Sequence, residues 1–212
     1  ARTSRTRPFL CSTSERHRKV SIRIRDACPK DARRIAELTT PYAMRRILLH
    51  KELIAYFEDI QEFVVAINEE TNALVGCGAL HVMWDDIAEI RTLAVAPEFL
   101  HKGIGSAILN SLLARAQKLG LQRVFCLTFE VDFFARHGFY EISGTPVGED
   151  AFLEMLRSHD DGVKEFLDLA SYKPNTLGNT RMLRDLEHAP LSKATSDHGI
   201  HSVQVPAHSS GA

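Results

Sequence analysis

Glu89 and Arg91 stand two residues apart in the stretch Glu89-Ile90-Arg91-Thr92-Leu93-Ala94-Val95-Ala96-Pro97. Its apolar residues alternate early and then run together, as in a strand buried on both faces, and Pro97 ends it because proline cannot donate to a sheet ladder. A spacing of two puts the carboxylate and the guanidinium on one face. A carboxylate there can take a proton from a nucleophile. A guanidinium fork can hold the carboxylate of a ligand with two parallel hydrogen bonds. A plainer reading stands beside this one: Arg91 pairs with Glu89 for structural reasons, since a half-buried arginine needs a partner. Glu89 could equally be a solvent-facing acid after the Asp85-Asp86 turn.

A second candidate follows immediately. Leu100-His101-Lys102-Gly103-Ile104-Gly105-Ser106 opens a helix whose Ile104, Ala107, Ile108, Leu112 and Leu113 share one face. Free amides at a helix start, the helix dipole, and two glycines that let the backbone come close all suit a phosphate. Strand, loop and helix with two glycines are also common in α/β chains that bind none. Ile108 sits where a dinucleotide fingerprint has its third glycine, and there is no Gly-Lys-Ser/Thr of a nucleotide P-loop.

The elements that position these groups follow from pattern. Ser21 to Arg25 alternates as a short strand. Asp31 to Leu38 is a helix with an acid in its first turn, closed by Pro41. Met44 to Phe57 has helical spacing and a cationic start in Arg45, Arg46 and Lys51, either solvated or serving an anionic ligand. Glu62 to Ile67, Ala73 to Val82 and the Glu89 stretch form three antiparallel strands joined by tight turns. Gly76 and Gly78 inside the second of these mark a bulge or a close approach. After the long helix, capped by Gly120, come a buried strand at Arg123 to Thr128, a short helix at Phe133 to His137 and a further strand after Gly138. Short helices at Glu149 to Arg157 and Asp161 to Asp168 precede a last strand at Asn179 to Leu186. Residues 1–19, rich in Ser, Thr and Arg, read as a disordered tail rather than a targeting segment, and 187–212 as a flexible one.

Composition narrows the class. With 212 residues, 44% hydrophobic and 25% charged, the chain is a soluble globular domain with tails. A net charge of −1 gives no field for nucleic acid or an anionic membrane. No apolar run approaches the length needed to span a bilayer. Cys77 and Cys126 lie in apolar strand patterns, as reduced buried thiols of a cytoplasmic protein do. The histidines form no metal-binding spacing, so no metal is expected.

The order of elements resembles that of the GNAT family of acetyl-CoA-dependent N-acetyltransferases, as do the Ala96-Pro97 … Gly103-Ile104-Gly105 and Phe133-Phe134-Ala135-Arg136-His137-Gly138-Phe139 segments. Val75 to Val82, Glu89 to Thr92, Thr128-Phe129-Glu130 and Tyr172-Lys173-Pro174-Asn175 are similar to the short, single-domain N-acetylglutamate synthases of actinobacteria. The resemblance covers residues 20–186. It implies an α/β (α+β) fold: a central mixed, mostly antiparallel sheet flanked by helices. It also implies transfer of acetyl from acetyl-CoA to the α-amino group of L-glutamate or L-glutamine, the first step of arginine biosynthesis, with assembly as a homodimer left open.

Site roles follow by the same resemblance. Glu89 is the general base. Leu93, Ala94 and Val95 hold the acetyl oxygen and pantetheine through the backbone of a bulged strand. His101, Lys102, Gly103, Ile104, Gly105 and Ser106 take the phosphates, with Leu100 in place of the family's usual Arg or Gln. Phe129 and Phe134 border the cofactor. Many members carry a tyrosine where this chain has Phe134, so Thr128, a water or no group protonates the leaving thiolate. Arg91, Arg46, Lys173, Asn179 and Thr180 face the acceptor. The alternatives are an acetyltransferase for another amine (a protein N-terminus, a polyamine or an antibiotic) and a non-catalytic acetyl-CoA-binding module.

Overall fold

The computed structural model describes residues 21–160, 162–163, 167 and 179–186. Among the described residues seven strands form one sheet: β1 Ile22–Asp26, β2 Phe63–Asn68, β3 Leu74–Val82, β4 Ile87–Val95, β5 Arg123–Thr128, β6 Tyr140–Glu141 and β7 Thr180–Asp185. Their order is β1-β2-β3-β4-β5-β7-β6. Only the β4–β5 pair is parallel. The mixed, mostly antiparallel sheet expected above is therefore present.

Helices cover both faces. On one, α3 (Ile104–Lys118) sinks Ile104, Ile108, Leu109 and Leu112 onto Val64, Ala66, Leu80, Ala88 and Ile90. Gly76 and Gly78 explain how closely it sits. A β-carbon at Gly76 would lie 2.9 Å from Ile108, and one at Gly78 would lie 2.9 Å from Ile108 and 3.0 Å from Leu112. On the other face, α1 (Ala32–Met44) and α2 (Leu53–Glu58) bring Ile35 and Tyr56 against Phe63, Val65, Ile67, Cys77 and Ala79. A third cluster on this face joins Met83, Ile87, Phe125 and Leu183 to Met155 of α5 (Glu149–Met155). Between these last two clusters lies the polar face of β4.

Two helix readings change. The first helix does not close at Pro41, which lies inside α1. The Thr39 and Thr40 hydroxyls donate to the Ile35 and Ala36 carbonyls in the turn before it. Continuing the helix carries Tyr42 to the Val95 carbonyl, to which its hydroxyl donates. The expected helix from Met44 to Phe57 is only α2. Its first half is irregular, turning at Arg45 and at Arg46, whose φ is +57°. Met44, Ile47 and Leu49 are exposed, so helical spacing here did not report a buried face. Arg45 consequently sits at the C-terminal end of α1, where the dipole favours a cation, and bonds the Pro41 carbonyl.

Of the expected helix at Asp161 to Asp168, Gly162 and Val163 are helical, and the rest is outside the described residues except Leu167, which lies in a turn. Both terminal tails lie outside them as well. Cys28, Cys77 and Cys126 are free thiols, and burial pushes Cys77 up to about 12. Among the described residues no helix is long and apolar enough to cross a membrane.

Asp31, read as a first-turn acid, is buried and ties β1 to α1. Arg25 donates to both its oxygens (2.7 and 3.0 Å), and the Cys28 N–H donates at 2.9 Å. Burial works to raise this carboxyl, but those bonds outweigh it and hold it at about 2. The depressed value makes Asp31 stabilising above the ordinary carboxylate range, with that contribution lost as pH falls toward 2. Asp31→Asn should therefore lower unfolding free energy by about 2 kcal/mol near neutral pH. Urea titration should show the difference between variant and wild type shrinking from about pH 4 downward.

Candidate active site

One extra residue in β4 shapes the site. Cys77 pairs with Ala94 and Ala79 with Arg91, so two steps along β3 oppose three along β4. Thr92 and Leu93 share the place opposite Gly78, and Thr92 takes a φ of +54°. This is a β-bulge, which bends the strand and interrupts its ladder.

β4 also leaves its other neighbour. Its parallel pairing with β5 covers only Ile87 to Glu89, while β5 stays paired with β7 as far as Thr128. Past Glu89 the two strands part, and a cleft of about 620 Å³ opens between them. Leu93, Ala94, Val95, Leu100, His101, Gly103, Ile104, Gly105 and Ser106 line it on one side. Thr128, Phe129, Phe133 and Phe134 line the other. Gly103, with φ +79°, turns the chain into α3. The first amides of α3 have no carbonyl one turn back and point into this end of the cleft as donors.

Within this set the side chains differ in use. Lys102 does not line the cleft: its ammonium bonds the Glu98 carbonyl at 2.8 Å and lies over the Phe99 ring. Phe134 is buried and packs edge-on against Phe133 and Phe139, so it is core and cleft wall at once. The Thr128 oxygen accepts from the Glu130 N–H at 2.9 Å, leaving its hydroxyl hydrogen to donate.

A second cleft, about 470 Å³, lies on the polar face of β4 and shares Ile47, Leu48, Ile90, Thr92 and Leu127 with the first. Glu89, Arg91, Asp160 and Asn179 are at its wall, with His50 and Lys51. Arg91 Nε donates to Glu89 Oε2 at 2.5 Å. Its terminal nitrogens meet the two Asp160 oxygens at 3.2 and 3.0 Å. Arg91 thus pairs with Glu89, as the plainer reading has it, and also lines a cleft. Burial pulls the guanidinium down, but the two carboxylates outweigh that and raise it. Burial likewise pushes Asp160 up, and Arg91 with the Val163 N–H outweighs it and holds the carboxyl below its ordinary range. Two carboxylates on one cation leave a formal charge of −1.

The remaining expected acceptor residues are not gathered here. Arg46 is exposed and lines neither cleft; Lys51 and His50 stand where it was expected. Lys51 is held at 3.0 Å by Asp59. Thr180 opens β7 opposite Thr128 and lines neither cleft. Lys173 is outside the described residues. Three residues were missed in the sequence: Asp160, His81 and Tyr42. Asp160 carried one local signal, an acid placed to cap the following turn, which it does by accepting from the Val163 N–H.

A bulged strand that splits from its parallel neighbour over a helix N-terminus defines a class of protein. The signature of the Acetyltransferase (GNAT) family matches residues 31–144, and the chain belongs to that family. It is an acetyltransferase, and acetyl-CoA is its acetyl donor. A Mycobacterium tuberculosis protein named amino-acid acetyltransferase is 53% identical over 171 residues, covering 80% of this chain and 98% of that one. The crystal structure of Rv2747 from the same organism, in complex with CoA, has 54% identity and a TM-score of 0.75, covering 78% of this chain and 99% of that one. A Neisseria gonorrhoeae N-acetylglutamate synthase, solved with CoA and N-acetyl-glutamate, has 26% identity and a TM-score of 0.63. That match covers 80% of this chain but 36% of the longer one.

The larger cleft makes its own prediction. Coenzyme A at 100 times its Kd should stabilise the protein by about 2.7 kcal/mol, read as a rise in Tm. Gly105→Glu places an anion among the first amides of α3, and its β-carbon meets nothing closer than Phe133 at 3.6 Å. The variant should fold and lose the CoA-dependent rise.

Proposed function

We propose that the chain acetylates the α-amino group of L-glutamate or L-glutamine, with Glu89 as the base. The observation that carries this reading is the placement of Glu89, beside Arg91, at the wall of the smaller cleft where β4 parts from β5. Its support is the identity to relatives named amino-acid acetyltransferase.

The chemistry is attack of an amine on a thioester. An α-ammonium must lose a proton before or during attack, because its ordinary pKa of about 7.7–8.0 leaves it mostly charged at neutral pH. Glu89 Oε2 is held by Arg91, which leaves Oε1 for the amine. As the carbonyl carbon becomes tetrahedral, charge gathers on the thioester oxygen, and amides at the Thr92–Leu93 bulge are the donors that meet it. Collapse expels the CoA thiolate, to which the Thr128 hydroxyl donates. A thiolate whose thiol has an ordinary pKa of about 8.5 leaves readily enough that this hydrogen bond is a modest aid.

An arginine carries five N–H donors. With Nε on Glu89, one hydrogen each of Nη1 and Nη2 on Asp160, and the other Nη2 hydrogen on Met83 Sδ, one Nη1 hydrogen is left to meet a carboxylate of the acceptor. Lys51 stands at the same wall as a further cation, paired with Asp59. Glu89 and Asp160 in turn favour the ammonium end of the amino acid. An acceptor bearing both charges fits this arrangement better than a polyamine does.

The decisive assay is thiol release from acetyl-CoA, read with DTNB, across a panel of amino acids, polyamines and peptides. Glutamate or glutamine should give the highest kcat/KM. Glu89→Gln should keep the CoA-induced rise in Tm and lose kcat by about 10²–10⁴-fold. Absence of release with both amino acids would contradict the acceptor, and full activity in Glu89→Gln would contradict the base.

A further inference from the structure

Each turnover leaves a proton on Glu89, and the way out is constrained. Glu89 is 5% exposed, and during reaction the cleft on its open side holds the acceptor. A base so placed needs a second route to solvent. From the groups behind it we infer that His81 and Glu62 form that route, a proton relay serving the Glu89 base proposed above.

His81 on β3 and Glu89 on β4 are direct partners in the antiparallel register. Such partners project on the same face with their β-carbons about 4.5–5.5 Å apart. Glu62 holds the imidazole: Nδ1 lies 2.8 Å from Glu62 Oε1. Histidine, whose two ring nitrogens can each take or give a proton, is the ordinary shuttle for this task. The other Glu62 oxygen, Oε2, is buried and has no hydrogen-bond partner among the described residues. A buried carboxylate oxygen without a partner is costly, and a water or a transferred proton satisfies it. The side chains of His81 and Glu62 are 21% and 19% exposed, so the far end of the pair reaches solvent, as Glu89 does not. Arg115 fixes that end from α3 by donating to the Gln61 and Glu62 carbonyls.

The charged groups facing the imidazole are Glu62 from the turn before β2, Glu89 and Arg91 from β4, and Asp160 from the segment after α5. The relay balances simply. Glu89 receives the amine proton and passes it to His81 Nε2, directly or through one water. His81 releases its Nδ1 proton to Glu62, Glu62 gives it to solvent, and the imidazole moves its remaining proton from Nε2 back to Nδ1, by turning over or through water, before the next turnover.

The test uses thiol release with the amino acid that supports turnover. His81→Gln should lower kcat by about tenfold or more, leave the CoA-induced rise in Tm intact, and recover part of its rate in added imidazole, as a missing proton carrier would. The wild type should not respond to imidazole. Glu62→Gln should show a smaller loss. Unchanged kcat in His81→Gln, or a loss that imidazole does not relieve, would overturn the relay. Glu89→Gln run in parallel separates the two readings. If it loses turnover and His81→Gln does not, the base stands and the relay falls. If neither loses turnover, both fall.

Discussion

One extra residue in β4 governs the site. In a regular sheet the backbone groups of a central strand are consumed by its neighbours, and none remain for a ligand. Here the bulge at Thr92 and Leu93 interrupts the ladder to β3, and the early parting from β5 removes the ladder on the other side. The same short segment is thereby freed on both edges. Tyr42 takes the Val95 carbonyl at the upper end. What lies between is a run of main-chain donors and acceptors at the floor of the larger cleft. Such groups must be met by something, and an extended molecule with amides and a thioester is the natural partner.

The bulge also sets which side chains face the second cleft. Below it, strict alternation keeps Glu89 and Arg91 on the face shared with His81. Their pairing is unusual in being buried and over-supplied with negative charge. A buried pair is weak support for stability, because desolvation offsets much of the attraction, yet removing one partner costs about 3–5 kcal/mol. The arrangement is better understood as positioning. Arg91 holds a carboxylate at a fixed angle at the wall of the smaller cleft, beside Ile90 and Thr92, which both clefts share. Asp160 locks the other end of the guanidinium and brings the segment after α5 onto β4. Backbone crowding agrees: a β-carbon at Gly162 would lie 2.7 Å from Arg91 Nη2.

Much of this was legible in the chain. Alternation marked the strands, Gly103 and Gly105 with the helical face of Ile104, Ile108 and Leu112 marked the loop and helix start that line one end of the larger cleft, and spacing put Glu89 beside Arg91. What was not legible depends on tertiary placement. Asp160 reaches Arg91 from 69 residues away, and no local pattern encodes that. Arg46 is charged and close in sequence to the cleft wall, but a left-handed turn sends it outward. Lys102 looked like a phosphate ligand until its own loop claimed it through the Glu98 carbonyl. The spacing from Met44 to Phe57 was helical because apolar residues on a cleft rim can repeat at that interval as well as those on a buried face. Each miss concerns a side chain whose partner is distant or whose backbone turns unexpectedly.

The central claim is that the parting of β4 from β5 brings thioester and amine together at Glu89. A crystal structure of the protein with CoA and N-acetyl-glutamate tests it most directly. The account predicts the acetamide nitrogen within about 3 Å of Glu89, or one water away, with the acetyl oxygen on an amide of the Thr92–Leu93 bulge. A product seated elsewhere, with Glu89 still closed off behind Arg91 and Asp160, would contradict it.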